Sequence, residues 1–236
     1  MNPDPQSPIR ALIGAGNLAD ARAAIQLLER LSDLRFSEFG GLYLEDSLLT
    51  DLARLPSQRL VTVGGMLADR PSHHMLRRIS QADAAAFRDM LGRIARDREW
   101  SFQHRRGKLI HSLLAAAKGW DMVIVGQRMV GGFRGPVVVV APRAGAPGRA
   151  MALAEGLARR VGTGVRTLSL ERATAGRPAA HPGLEYFVNE QALLAHLARL
   201  PAAGVIVDLA ADEAWPPDRL NDLYDAARCS ILLLNG

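Results

Sequence analysis

The sequence is poor in the features that mark secreted and membrane proteins. It has one cysteine, Cys229, so no disulfide can form within the chain, and a reducing compartment is indicated. No uninterrupted apolar run approaches the roughly 18 residues that a membrane span needs. The first residues, MNPDPQSPIR, lack the basic stretch and apolar core of a signal peptide. These absences predict a cytoplasmic protein that does not enter the membrane.

The residue patterns of several common catalytic sites are also missing. No Gly-x-Ser-x-Gly is present, and Cys229 precedes an apolar strand, which favours a buried small residue over a nucleophile. His73 and His74 are adjacent, so they do not share one helix face as metal ligands do. His111 and Ser112 are adjacent as well and cannot face each other as base and nucleophile. The sequence therefore favours a binding or signalling protein over an enzyme and predicts no metal site.

Lysine is scarce, and arginine carries nearly all of the positive charge. The formal net charge is +5, and residues 77–108, with nine basic and four acidic side chains, account for that excess. One interpretation of this segment is a surface for nucleic acid or another acidic partner. The favoured alternative is a solvated helix face, because acids are interleaved with the arginines and no aromatic stacking pattern accompanies them. Nucleic acid is therefore not the expected partner.

What the chain does contain is a regular alternation of strand and helix patterns. Strands are predicted at 9–15, 38–45, 100–104, 122–125, 137–140, 165–170, 184–188, 205–209 and 230–234, and helices at 18–32, 80–98, 108–118, 147–161, 190–199 and 218–227. Asn17 is predicted to cap the first helix, and Ser80 with Asp83 the second. The alternation predicts an α/β fold with an open, mostly parallel sheet and helices on both faces. Residues 46–75 are irregular and are interpreted as an excursion or a lid.

Two parts of the sequence repeat. GKLIHSLLAAAKGWDMVIVG at 107–126 parallels NEQALLAHLARLPAAGVIVD at 189–208 without a gap, and residues 9–31 parallel residues 136–158. The repeat predicts two tandem units, one at 1–135 and a shorter, degenerate one at 136–236. The first unit lacks a final strand of its own, since the strand at 137–140 opens the second unit. Each unit alone has a small core, so the two sheets are expected to pack together.

The segment at 107–126 resembles the universal stress protein family. It has that family's pattern of a glycine, an amphipathic helix, an acid, four apolar residues and a glycine. The strand, turn and helix at 9–31 and GLYLED at 41–46 are similar too, so the chain resembles a tandem, degenerate member. The resemblance implies two Rossmann-like, adenine nucleotide alpha hydrolase-like sheets, a non-catalytic role in the stress response, and a homodimer.

The resemblance also implies a site for an adenine nucleotide, ATP or AMP, in the first unit. Family members that bind nucleotides have an Asp after the first strand, where this chain has Ala15, and a Gly-x2-Gly-x9-Gly-Ser/Thr stretch after the fourth. Gly126 can be the first glycine of that stretch, but Met129 stands at the second, which leaves a shortened cradle. The candidate residues are Ala15, Gly16, Asn17, Gly126, Gln127, Arg128, Gly131, Gly132, Arg134 and Gly135. In the second unit the loop at 208–212 has two acids and no glycine, and acids repel phosphate.

A different motif leaves an enzymatic alternative open. Gly14, Gly16 and Ala19 fit Gly-x-Gly-x-x-Ala between a strand and a helix, which is the fingerprint of a dinucleotide-dependent oxidoreductase. An acid should follow about 20 residues later to hold the ribose. The candidates, Glu45 and Asp46, come 26 and 27 residues after Ala19. Small residues are common at tight strand-helix turns, so a structural role for the motif is favoured.

Overall fold

The chain forms one mixed sheet of nine strands with helices on both faces, as a computed structural model shows. The structure describes residues 8–45, 60–61, 67–68, 72–128, 134–141, 148–170, 183–210 and 215–235. Most of the segment at 46–75 that was interpreted as a lid lies outside these residues.

The observed elements follow the predicted alternation closely. The strands are β1 Ile9–Ala15, β2 Phe36–Glu45, β3 Leu60–Val61, β4 Leu67–Ala68, β5 Glu99–Arg106, β6 Met122–Val125, β7 Val137–Ala141, β8 Val165–Leu170, β9 Leu184–Phe187, β10 Gly204–Asp208 and β11 Ile231–Leu234. The helices are α1 Leu18–Glu29, α2 His73–Ala95, α3 Leu109–Ala116, α4 Gly148–Val161, α5 Glu190–Leu197 and α6 Pro217–Ala227. The short strands β3 and β4 pair with each other and form a separate two-stranded sheet.

Helix α2 is the element whose start was wrongly predicted. Its N-cap is Ser72, whose side chain accepts a hydrogen bond from the amide of Met75 at 3.1 Å, whereas Ser80 lies inside the helix. Met75 and Ile79 in the first two turns are 53% and 47% exposed. Because these turns do not bury an apolar face, their sequence has no core-facing periodicity that would announce the helix.

The two predicted sheets are halves of a single sheet. Its strand order is β5-β2-β1-β6-β11-β10-β7-β8-β9, with the strands before residue 136 on one side and those after it on the other. Pairing is parallel within each half, but β6 and β11 are antiparallel, with Met122 opposite Leu234 and Val125 opposite Ile231. Strand β7 pairs with β8 and β10. Strand β7 therefore pairs only with strands that follow it in the sequence, and the division into two units at residue 136 stays a prediction.

Each face of the sheet carries one continuous apolar core. Helices α1, α2 and α4 pack on one face, and α3, α5 and α6 pack on the other. The central strands are buried on both faces, which explains their unbroken apolar sequences MVIV, VVVVA and ILLL. Both cores include residues from the two halves, so the halves share their hydrophobic interior.

The antiparallel pairing at the centre sets the direction of each half. Strands of the first half end at one rim of the sheet, and strands of the second half end at the opposite rim. The rim that follows β1, β2, β5 and β6 is therefore the place to look for the predicted nucleotide site, because ligands of open α/β sheets bind beyond the carboxyl ends of the strands.

Candidate functional site

The backbone after β6 meets β1, α1 and α6 in a polar region that we call the β6 junction. It consists of Gly126, Gln127 and Arg128 together with the groups that contact their amides. The amide of Gly126 donates to the carbonyl oxygen of Gly14 at 2.8 Å, and that of Gln127 donates to Oγ of Ser230 at 3.2 Å. The amide of Arg128 donates to Oδ1 of Asp20 at 2.7 Å, so the amides of Gly126, Gln127 and Arg128 all have acceptors within the protein.

Asp20 places a carboxylate in the first turn of α1, beside the β6 junction. Its second oxygen accepts from Nδ2 of Asn17 at 2.6 Å, and Oδ1 of Asn17 accepts from the amide of Asp20 at 2.9 Å, which caps the helix. Burial raises the pKa of Asp20, while the hydrogen bonds from Arg128 and Asn17 act in the opposite direction. A helix N-terminus and a free backbone amide are what a bound anion would contact. Here the protein's own carboxylate contacts them.

Gly126 lies against two helices at once. A Cβ atom at this position would lie 2.2 Å from the carbonyl oxygen of Asp20. On the other side of the sheet, the hydroxyl of Tyr224 on α6 donates to the carbonyl oxygen of Gly126 at 2.8 Å, and burial raises the pKa of Tyr224. The backbone of Gly126 therefore has both its polar groups paired and no space for even a methyl group towards α1.

The turn after β1 supplies the other half of the predicted site. Ala15, at the position of the family's Asp, is fully buried and belongs to the core. Gly16 is open, since a Cβ there would have only the carbonyl oxygen of Leu44 near it, at 3.9 Å. The structure thus brings the 15–17 turn and residues 126–128 together, with Asp20 between them.

Gly135 and Arg134 lie elsewhere. Strands β11 and β10 separate β6 from β7, which places β6 about 14 Å from β7 at the usual strand spacing. Gly135 has a φ of +93°, which favours glycine, and a Cβ there would overlap the carbonyl oxygen of Pro201. Its own carbonyl oxygen accepts from Oγ1 of Thr163 at 2.8 Å. Gly135 therefore serves a tight turn before β7 and does not join Gly126, and the predicted Gly131 and Gly132 lie outside the described residues.

The glycine of the dinucleotide motif has a packing role. A Cβ at Gly14 would lie 2.3 Å from the side chain of Leu113, so only glycine lets α3 approach β1 this closely. Glu45, one of the two candidate acids, contacts Nε of Arg106 at 3.4 Å. Asp46 lies outside the described residues. Packing against Leu113 therefore explains the glycine at position 14, and Glu45 has a partner within the protein. Neither residue needs a dinucleotide to explain its presence.

The corresponding position in the second half carries a buried acid. Asp208 ends β10, is 6% exposed and lies 3.7 Å from Nη2 of Arg149 on α4. Its Oδ1 accepts from the amide of Ala210 at 3.0 Å. The carboxylate is thus paired within the protein, at the place where a phosphate would need amides.

Sequence reasoning missed Asp20, Tyr224 and Ser230 at the β6 junction. Asn17 and Asp20 are three residues apart, the spacing of a capping box, so their local contact had a signal. The contact of Asp20 with Arg128 spans 108 residues, and that of Gln127 with Ser230 spans 103. No local pattern announces contacts of that range.

Other candidate chemistry of the described residues is sparse. Cys229 is 1% exposed, which confirms the interpretation as a buried small residue. Across the described ranges, no group of three or more His, Cys, Asp or Glu side chains is arranged to hold a metal ion. The helices placed by the structure include none that is both long and apolar enough to cross a membrane.

Comparisons with known proteins show a likeness of structure. No model of a known protein family matches the sequence, and neither does any curated protein. A universal stress protein from Archaeoglobus fulgidus DSM 4304 matches with a TM-score of 0.50 and 12% sequence identity, over 95% of this chain and 96% of that chain. A functionally unknown protein from Pseudomonas aeruginosa PAO1 matches with a TM-score of 0.48 and 12% identity, over 96% and 92% of the respective chains. At these identities the likeness is one of fold.

Proposed function

Since this chain has the fold of a universal stress protein, we propose that it is a non-catalytic binding and signalling module that engages a partner with no nucleotide bound at the β6 junction. The proposal rests on one observation, the internal pairing of the amides of Gly126, Gln127 and Arg128. Phosphates bind where backbone amides are available to donate. Here a phosphate would have to displace the carbonyl of β1, the hydroxyl of Ser230 and the carboxylate of Asp20.

Charge supports the same conclusion. The Asp20 carboxylate contacts the amide that a phosphate would need, and two anions at this separation repel each other. Ala15 cannot replace the family's Asp, because its methyl side chain is apolar and buried. Binding of ATP or AMP at the 15–17 turn and residues 126–128 stays a prediction of the family resemblance, and the experiment below decides it.

The test is equilibrium binding of ATP and AMP to the full chain, together with analysis of any small molecule released when the purified protein is denatured. We expect no saturable binding at millimolar nucleotide and no bound nucleotide in the preparation. Asp20→Ala removes the competing carboxylate and frees the Arg128 amide, so any gain of nucleotide affinity should appear in that variant. Asp89→Ala, an acid on α2 away from the β6 junction, is the matched control and should behave as the wild type.

The same measurements address the other readings of the sequence. One equivalent of ATP or AMP in the wild-type protein would contradict our proposal and support nucleotide sensing by the first half. Release of a nicotinamide or flavin dinucleotide would support the oxidoreductase alternative based on Gly14, Gly16 and Ala19. The identity of the released molecule distinguishes these two outcomes from each other.

A further inference from the structure

A basic cavity lies at the carboxyl ends of β2 and β5, beside the first half of α2. Its volume is about 220 Å³. The residues that line it are Glu45, Arg77, Gln81, His104, Arg105 and Arg106. The cavity joins the two ends of the basic segment at 77–108, because α2 supplies Arg77 and β5 supplies Arg105 and Arg106. We call it the α2–β5 pocket.

The one acid among the lining residues, Glu45, contacts other side chains of the pocket wall. The side chain of Glu45 is 12% exposed and lies 3.4 Å from Nε of Arg106 and 3.7 Å from Nε2 of His104. The ring of His104 also packs edge-on against Tyr43, with 5.2 Å between the ring centroids. These contacts hold Arg106 and His104 in place at the pocket wall, and Glu45 balances the charge of Arg106.

The other two arginines leave an uncompensated charge. Within the part of the chain that the structure describes, no carboxylate pairs with Arg77 or Arg105, although both line the pocket. Counted over the described lining residues alone, the pocket therefore has an excess of two positive charges, supplied from a helix on one side and a strand on the other. A ligand with two negative charges would neutralise that excess.

Shape and donor chemistry narrow the ligand class. Guanidinium groups present paired N–H donors that match the oxygens of a phosphate, and such charge-assisted hydrogen bonds are among the strongest in proteins. The amide of Gln81 adds a neutral donor at the same wall. The cavity is smaller than the roughly 300–1,000 Å³ of sites for drug-sized ligands, which favours a compact anion.

We propose that the α2–β5 pocket binds a phosphoryl dianion, either free phosphate or the phosphate group of a small phosphomonoester, through Arg77 and Arg105. This site is distinct from the β6 junction, where the anion position is taken by Asp20. It also gives a specific role to the two ends of the basic segment, while the arginines in the middle of α2 remain a solvated face. Arg88 belongs to that middle part and lies in a shallow groove with Asp89 and Trp100.

The experiment is isothermal titration of the full chain with inorganic phosphate and, separately, with glycerol phosphate, in a phosphate-free buffer at pH 8. We expect one site per chain. Arg77→Gln and Arg105→Gln should each weaken it at least about tenfold, because each removes charge-assisted hydrogen bonds to the anion. Arg88→Gln removes the same charge from the same helix outside the pocket and should change the affinity less than about twofold. All three side chains are on the surface, and thermal melting of each variant shows that it is folded.

The results distinguish free phosphate from a phosphomonoester, and they distinguish a specific site from a diffuse basic surface. Tighter binding of glycerol phosphate than of phosphate would identify a phosphomonoester, and weaker binding would identify free phosphate. Equal binding would show that the pocket recognises the phosphoryl group alone, which also supports the proposal. Absence of saturable binding at tens of millimolar phosphate would overturn the proposal. An equal loss of phosphate affinity in all three variants would also overturn the proposal. The same holds if a single-stranded oligonucleotide binds and Arg88→Gln weakens that binding as much as Arg77→Gln does. Either result would indicate a diffuse basic surface.

Discussion

At the scale of single residues, close packing explains glycines that a motif search would assign to a ligand. Gly126 is limited by space, since a Cβ would lie 2.2 Å from the backbone oxygen of Asp20. Gly126→Ala should therefore lower the free energy of unfolding by about 1–3 kcal/mol, the usual range for overpacking in a well-packed region. Chemical denaturation measures this loss.

A glycine in α4 provides the matched control. At Gly156 a Cβ would have only the flexible end of Arg159 near it, at 4.0 Å. Gly156→Ala should raise the free energy of unfolding by up to about 1 kcal/mol, because alanine is the better helix former. Destabilisation by Gly156→Ala, or an unchanged stability of Gly126→Ala, would contradict this account of the two positions.

The buried thiol offers a second prediction at this scale. Burial raises the pKa of Cys229 to about 12, and its side chain is 1% exposed. Since the thiolate is the reactive species, iodoacetamide should leave the folded protein unmodified at pH 8 and should add one carbamidomethyl group in urea. Mass spectrometry of both samples measures the labelling. Rapid labelling of the folded protein would contradict the prediction and would show that the region of Cys229, just before β11, opens readily.

The residues of the β6 junction show where sequence reasoning reaches its limit. Asn17 was predicted as a helix cap from its position alone, and its contact with the Asp20 amide confirms it. The carboxylate of Asp20 was not recognised, because on a helical pattern it is one more polar residue on the solvent side. Its role depends on Arg128, a partner that only the parallel pairing of β1 and β6 brings near.

At the scale of elements, the start of α2 can be tested directly. Ser72→Ala removes the side-chain oxygen that accepts from the Met75 amide, so it should cost about 1 kcal/mol of stability. Ser72→Thr retains a hydroxyl cap and should be close to the wild type. Amide hydrogen exchange in the first turn of α2 should quicken in the alanine variant only, and unchanged exchange there would place the start of the helix elsewhere.

Strands were predicted more accurately than this helix start for a physical reason. The inner strands are buried on both faces, so their sequences are short apolar runs bounded by turn residues, as in Met122–Val125. The first turns of α2 bury little and give no such signal, as the exposed Met75 and Ile79 illustrate. The apolar pattern also does not predict which strands pair. Nothing in ILLL at 231–234 indicates that this strand lies antiparallel to β6.

At the scale of the whole molecule, the shared sheet predicts that the two halves depend on each other. Residues 1–135 alone would expose the edge of β6, which is fully buried in the intact chain, along with the apolar surface that β11 and α6 cover. We expect this fragment to aggregate or remain largely unfolded, and mixing it with residues 136–236 should restore soluble, folded protein. Circular dichroism and size-exclusion chromatography with light scattering provide the measurement. A stable monomeric 1–135 fragment would show instead that it is an independent domain.

The predicted homodimer faces a constraint from the same feature. Strand β11 is enclosed between β6 and β10, so it has no free edge to offer a second chain. Within the nine-stranded sheet, the outer strands are β5 and β9. A dimer formed by extending that sheet would therefore have to pair β5 or β9.

The opposed directions of the two halves give the molecule two distinct ends. Strands β1, β2 and β6 end at one rim of the sheet, and strands β7, β8 and β10 end at the opposite rim. A partner bound at one rim would leave the opposite rim accessible. Two partners bound at the two rims would therefore lie on opposite sides of the sheet and would not contact each other.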